Sequence, residues 1–436
     1  MIIRRFMTAG ALAALVAGAA FAGQSASAPQ APAAIGQKAL PATQALFDSY
    51  VSAGKMPGIV GAFGYGNYPT MFISAGKIAD EPGAAAAGPD SLWRVYSMTK
   101  PITATAAMIL IEEGKIKLDE PVSDFIPAFR TMRVQLDPKT LETRPAARPI
   151  TIRNLLTHTA GLGYNIITQG PLLEQYNKLG INPAQVNVQL EAKSRLVRPP
   201  SLEAFANKVA ELPLIADPGT KWSYSIGLDV MGRVIEVASG MKFDTFVQRR
   251  IFDPLKMTSS YWTVPASETG RFATNYLFAA DNRIPLDAAA TSVWLSPPSF
   301  PYGGAGLVMS AHDYDRFLHA LQEGGALDGV RVLKRETAAL MMSNLLPPGT
   351  DTSMLNRMGN LGALGFGAGG SVTLTDLPGG ASKGTYGWGG AAGTVAWVNP
   401  STHRRGTIMV NYFPGEKWPV RPQILAALAT DFGTGR

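Results

Sequence analysis

The sequence predicts an α+β protein, an antiparallel sheet flanked by helices from both chain ends with a mainly helical domain inserted between them. Three observations predict it. β-Prone segments lie near both ends of the chain, and a helical pattern sits outside them at each end. The stretch between them, about 119–290, carries many prolines and several short helical patterns. At 436 residues the chain exceeds one ordinary core, so two domains, one discontinuous, are expected.

The first 22 residues stand apart. Arg4 and Arg5 form a basic start, an apolar run follows, and Ala20-Phe21-Ala22 supplies small residues for cleavage. We expect a cleavable signal peptide over 1–22 and export to the periplasm or medium. Cleavage after Ala28 is disfavoured because Pro29 would follow. The arginine pair leaves Sec and twin-arginine export both open. Residues 23–39, rich in Ala, Pro, Gln and Ser, read as a flexible leader.

An α/β domain is expected over 40–118 and 291–436. Residues 40–54 look helical, with Leu40, Ala45, Leu46, Tyr50 and Val51 near one face and Gly54 and Pro57 as the stop. Segments 58–64 and 69–75, joined by Tyr65-Gly66-Asn67-Tyr68, read as a hairpin. Ser97–Glu113 reads as an amphipathic helix, ended by Gly114. In the inserted domain, 119–290, a helix is expected over about 226–239, with Val230, Met231, Val234 and Ile235 inward. Strands follow at 384–388, 394–398 and 406–412, and a last helix at 419–432.

Composition excludes several function classes. With no cysteine there are no disulfides, thiolate metal sites or cysteine nucleophile. The net charge of +7 is scattered, without a basic stripe interleaved with aromatics, so nucleic acid is not an expected partner. Beyond the first segment no run is apolar enough to span a membrane, so no stable anchor is expected after cleavage. His312 and His319 lie seven apart, but no His-Glu-x-x-His or paired acidic pattern supports a metal, so no metal or other cofactor is expected.

Four places match Ser-x-x-Lys: Ser52/Lys55, Ser74/Lys77, Ser97/Lys100 and Ser239/Lys242. Three of them contain Gly where an element ends. Only Ser97 follows a strand-like stretch, Leu92–Tyr96, and opens a long helix. Three-residue spacing puts Lys100 on the face of Ser97, and a helix N-terminus favours developing negative charge. A serine needs a base to become a nucleophile, and a desolvated lysine can serve. On this context alone, a helix-opening serine beside a surface lysine is an equal reading.

Longer stretches add a resemblance. Ser97-Met98-Thr99-Lys100-Pro101-Ile102-Thr103, Leu155-Leu156-Thr157-His158-Thr159-Ala160-Gly161-Leu162, Pro218-Gly219-Thr220-Lys221-Trp222-Ser223-Tyr224-Ser225 and Gly303-Gly304-Ala305-Gly306-Leu307-Val308-Met309-Ser310 occur in order. Together they resemble the penicillin-recognising serine hydrolases, and more closely the class C β-lactamase-like proteins called family VIII esterases. The resemblance covers roughly 40–430 and implies a β-lactamase/transpeptidase-like fold. It places Tyr224 as proton acceptor or relay beside Ser97 and Lys100. Trp388-Gly389-Gly390 falls where the family has Lys-Thr-Gly, which implies an oxyanion hole from the Ser97 and Ala391 N–H groups. Gly389 and Gly390 would admit substrate closely. Ile226 stands where Asn is expected and Trp388 where Lys is expected. Both changes make a substrate site more apolar and favour a neutral ester over a charged lactam.

The expected activity is therefore hydrolysis of short-chain carboxylic esters through a Ser97 acyl-enzyme, with Lys100 and Tyr224 sharing base and acid roles. A β-lactamase or D-amino-acid peptidase on the same fold, and a catalytically silent binding protein, remain alternatives. Gly380-Ala381-Ser382-Lys383-Gly384 matches a nucleophile elbow, but a strand-like segment follows it rather than a helix. The Gly-rich 365–370 run opens no helix, so dinucleotide binding is not expected. His158 reads as structural, and Trp222, Trp294 and Trp397 as core or cleft wall. The irregular 164–200 segment is expected to roof the cleft.

Overall fold

A computed structural model describes residues 40–359, 363–376 and 381–432. The expected signal peptide and leader, and Gly380 of the elbow-like motif, lie outside them. Helix α1 (Pro41–Ser52) leads into strands β1 (Gly58–Tyr65) and β2 (Met71–Gly76). Its buried face is Thr43, Phe47 and Tyr50, while Ala45 of the expected face is exposed. Positions 43, 47 and 50 follow the 3.6-residue period once the helix starts at Pro41.

Short strand β3 (Leu92–Arg94) precedes helix α2 (Thr99–Glu112). This helix departs from the amphipathic expectation: every residue from Thr99 to Leu110 is buried. It is therefore a central helix, wrapped on all sides. Ser97 itself sits in a one-turn 3-10 segment, Tyr96–Met98, ahead of α2.

The middle of the chain contributes helices α3 (Gly170–Lys178), α4 (Val188–Arg195), α5 (Leu202–Ala210) and α6 (Gly227–Ser239). In α6, Val230, Met231, Val234 and Ile235 are buried, and Gly240 ends the helix in the left-handed conformation at φ +71°. A hairpin, β4 (Asn275–Ala279) and β5 (Asn282–Asp287), also falls in this stretch. Strand β6 (Val308–Ser310) pairs with β3 and feeds helix α7 (Ala311–Gln322).

The main sheet is completed by β7 (Leu364–Phe366), β8 (Ser371–Thr373), β9 (Tyr386–Gly389), β10 (Val395–Asn399) and β11 (Arg404–Met409). Its order is β7-β8-β9-β10-β11-β1-β2, antiparallel throughout. The strand read over 406–412 divides. After β11 the chain leaves the sheet, and β12 (Tyr412–Phe413) pairs in parallel with β4. Of the Gly-rich 365–370 run, Gly365 and Phe366 lie in β7 and 367–370 turn into β8.

Strand alternation sorts side chains to two cores. Ile59, Phe63, Val395, Trp397 and Ile408 face α1 and the terminal helix α8 (Val420–Asp431). Val60, Ala62, Ala396, Val398 and Met409 face the larger core that contains α2. The terminal helices are tied by one carboxylate: Asp431 accepts the N–H groups of Ala42 at 2.7 Å and Thr43 at 2.9 Å. An anion there satisfies helix N-terminal donors that would otherwise lack partners.

Candidate active site

Ser97 is presented by a sharp change of direction between β3 and α2. Its neighbour Tyr96 has φ +41°, a left-handed conformation unusual for a bulky residue. Tyr96 is held there by packing against Trp294 and Phe413, both edge to face, and by Asn275, which donates to its hydroxyl at 3.2 Å.

Three side chains meet at Ser97 Oγ. Tyr224 donates its hydroxyl to this oxygen at 2.6 Å. Lys100 Nζ donates to it at 3.1 Å and to the Gly304 carbonyl at 2.8 Å. A hydroxyl pair at that distance can exchange donor and acceptor by rotating its protons. Lys100 is fully buried, with the Tyr224 ring 4.6 Å and the Tyr164 ring 5.6 Å from Nζ. An ammonium facing two aromatic rings recovers part of what burial removes from its solvation.

Behind Tyr224 lies an aromatic wall. Its ring is 4.8 Å from the His158 ring, 5.6 Å from Trp388 and 5.3 Å from Tyr164. Trp388 Nε1 donates toward the Tyr224 hydroxyl at 3.4 Å. His158 is buried, with φ +57°, and its Nδ1 accepts the Ser225 N–H at 3.1 Å. An accepting Nδ1 places the ring proton on Nε2. Burial, and secondarily the Lys100 cation, pushes the imidazole well below its ordinary range, so it stays neutral beside Tyr224.

A cavity of about 470 Å³ opens over Ser97. Tyr96, Ala305, Ala391, Phe413 and Pro414 line it together with Ser97. Ile166, Leu173, Val186 and Leu190 close it from the 164–198 stretch. That stretch is built on helices α3 and α4 rather than on irregular loop. A buried ion pair fastens it: Arg198 Nη1 donates to both Glu191 oxygens, at 2.7 and 2.6 Å, and to the Tyr302 hydroxyl at 2.7 Å.

The structure thus brings Ser97, Lys100 and Tyr224 together, with Ala391 on the same cavity. It does not bring Ile226 there. Ile226 precedes α6 and is fully buried in the larger core, outside the cavity lining. Trp388 is nearly buried and touches Tyr224 rather than the cavity. Gly389 pairs with Val395 inside the sheet and is also outside the lining. Gly390 is constrained by protein and not by substrate. A Cβ there would lie 2.3 Å from the Val95 carbonyl oxygen, so this glycine lets the end of β9 press against the segment carrying Ser97.

Sequence reasoning passes over Tyr164 and Asp229 at this site, and meets Gly304 only as part of a motif. The available signal was an acidic residue five positions past Tyr224, inside the apolar pattern of α6. Among the described residues no group of three His, Asp or Glu could hold a metal ion.

The family described as Beta-lactamase matches residues 43–430. Protein Rv1367c of Mycobacterium tuberculosis (strain ATCC 25618 / H37Rv) is 34% identical over 325 residues, covering 72% of this chain and 75% of that protein. Esterase EstB of Burkholderia gladioli is 31% identical over 268 residues, covering 58% of this chain and 62% of its own. Among solved structures, EstCE1, described as a hydrolase with promiscuous acyltransferase activity, superposes with a TM-score of 0.73 at 24% identity, covering 92% of this chain and all of that one. The chain belongs to the beta-lactamase family, as a serine hydrolase related to the family VIII esterases.

Proposed function

We propose that this protein hydrolyses neutral carboxylic esters, short-chain ones included, through an acyl-enzyme on Ser97. The observation that carries this reading is the convergence of Tyr224 at 2.6 Å and Lys100 at 3.1 Å on one serine oxygen that lines a cavity. Ser97 Oγ attacks the ester carbonyl carbon, and its proton passes into the Tyr224–Lys100 pair, which enters this step one proton short of phenol plus ammonium. The same pair returns a proton to the departing alkoxide, which leaves as the alcohol. Water then adds to the acyl carbon and gives up a proton to the pair, which returns it to Ser97 Oγ as the acyl–oxygen bond breaks, releasing the carboxylic acid and free Ser97. The N–H groups of Ser97 and Ala391 hold the oxyanion, a contribution of about 2.7–4 kcal/mol per donor.

The apolar walls support a neutral substrate. A cavity of this size also admits more than a small acyl group, so transfer of the acyl group to an alcohol instead of water belongs to the same reading. EstB is named an esterase, and EstCE1 is described as a hydrolase that also transfers acyl groups, so the relatives are consistent with both outcomes. The basic start and small-residue site also support a mature chain outside the cytoplasm, in the periplasm or medium, which cell fractionation checks.

The test is a panel of nitrophenyl esters, a chromogenic cephalosporin and a D-alanyl peptide, with wild type and Ser97→Ala. We expect ester turnover to dominate and to disappear in Ser97→Ala. Turnover retained by the variant removes the nucleophile assignment. Cephalosporin turnover rivalling that of esters moves the function to a β-lactamase.

A further inference from the structure

The proposed steps leave a buried carboxylate at the site unused. Asp229 lies in the first turn of α6, five residues past Tyr224, and is fully buried. Its Oδ1 accepts the Gly304 N–H at 2.8 Å. Its Oδ2 is buried and has no hydrogen-bond partner among the described residues. The carbonyl of the same Gly304 accepts Lys100 Nζ at 2.8 Å. A Cβ on residue 304 would lie 2.5 Å from Asp229 Oδ2, so the carboxylate lies flat against the glycine. One residue is therefore clamped between a carboxylate and an ammonium.

We propose that Asp229 is a positioning residue for the nucleophile. It fixes Gly304 so that the carbonyl holds Lys100 Nζ within reach of Ser97 Oγ, and its charge balances the Lys100 ammonium. The inference rests on the reading of Ser97, Lys100 and Tyr224 given above. The ionisable groups facing this set from the surrounding elements are Tyr164, Tyr224 and His158. His158 is held neutral, and burial holds Tyr164 protonated well above its ordinary range, with Tyr224 and Asp229 adding to the effect.

A carboxylate leaving an oxygen unpaired inside a core has no evident value for folding alone, because an unsatisfied buried charge is costly. Its retention makes sense if the charge serves Lys100. Burial raises the Asp229 carboxyl to about 7, against the opposing pull of Lys100. The clamp therefore gains its full charge as pH rises through that value, inside the range where an esterase is assayed.

The experiment is the pH dependence of kcat and KM on a short-chain nitrophenyl ester for wild type, Asp229→Asn and Gly304→Ala. Asp229→Asn keeps an oxygen for the Gly304 N–H and removes the charge. Gly304→Ala keeps the charge and forces the carboxylate away. We expect wild-type kcat/KM to rise through an acid limb near pH 7. Asp229→Asn should lack that limb and stay near the low-pH level, with kcat lowered on the order of 10- to 100-fold and KM nearly unchanged. Gly304→Ala should lower kcat similarly, which tests the clamp from its other side should Asp229→Asn fold poorly. Thermal melts and fluorophosphonate labelling of Ser97 report folding and nucleophile presence separately. An unchanged acid limb and kcat in Asp229→Asn, or a change confined to KM, overturns the proposal. Ester hydrolysis persisting in Ser97→Ala would instead overturn the underlying reading.

Discussion

At the residue scale, the proposed proton-handling pair is bounded on its aromatic side by groups that stay uncharged. Tyr224 is packed by aromatic rings, and the one basic ring among them, His158, accepts a backbone N–H instead of carrying a second proton. That choice has a consequence for stability. The folded state holds His158 well below 6.5, while an unfolded histidine titrates at about 6.5. Below that pH the unfolded chain takes up a proton that the folded chain refuses. The contribution of His158 is thus complete above about 6.5 and is lost as pH falls, at about 1.4 kcal/mol per pH unit. His158→Asn is the informative variant, because Asn tolerates the φ of +57° and its amide oxygen can accept the Ser225 N–H. Urea unfolding between about pH 5 and 7 should show a shallower pH slope in His158→Asn by close to one proton. Identical slopes would place the buried proton acceptance elsewhere.

At the element scale, the cavity wall depends on α4 more than on loop chemistry. Glu191 takes hydrogen bonds from Arg195 at 2.8 Å and from Arg198, and Arg198 reaches back to the Ala184 carbonyl at 3.0 Å. Both Glu191 and Arg198 are almost fully buried. Arg198→Met leaves Glu191 with only Arg195 and should cost about 3 kcal/mol, the lower end for a broken buried pair. Adding Glu191→Met should recover most of that loss, since the uncompensated charge is then gone. KM for esters with bulky groups should rise in Arg198→Met while small esters are spared. A double variant no more stable than the single one would show that packing, not charge, holds α4. This wall also marks how far sequence reading reaches. Short helices in a Pro-rich stretch have too few turns to display a period, so α3 and α4 are legible only as a roofing segment. Terminal elements such as β1, β2 and α8 are legible because turns and periodicity agree there. The central α2 reads as amphipathic because its Thr and Ala residues look polar or neutral in sequence, whereas packing buries them all. Ser97, Lys100 and Tyr224 come from ordered motifs. Asp229 does not, because its role depends on Gly304, distant in sequence and brought against it only by the fold.

At the scale of the whole molecule, the strained turn that presents Ser97 is held by chain segments far apart in sequence. Arg94, three residues before Ser97, is fully buried and donates Nε and Nη2 to Asp287 Oδ2 at 3.0 and 2.6 Å. It also binds Ser292 Oγ at 3.0 Å and the Ala273 carbonyl. Asn411, just past β11, exchanges hydrogen bonds with the Arg94 backbone, accepting its N–H and donating to its carbonyl, each at 3.1 Å. Strand β3, the β4–β5 hairpin and the exit of the main sheet thus converge on one guanidinium. The same hairpin supplies Asn275 to the Tyr96 hydroxyl. A non-glycine residue at φ +41° persists only where its surroundings over-determine it. Asp287→Asn weakens that determination by leaving Arg94 buried without its counter-charge. We expect unfolding free energy to drop by about 3–5 kcal/mol. We also expect kcat to fall at temperatures where the variant is still fully folded, because Ser97 Oγ loses its fixed distance to Tyr224 and Lys100. Denaturant melts with turnover on the same samples separate the two effects. A variant that loses stability but keeps wild-type kcat while folded would mean that the turn at Tyr96 is held locally, by Trp294 and Phe413, and not by the network through Arg94.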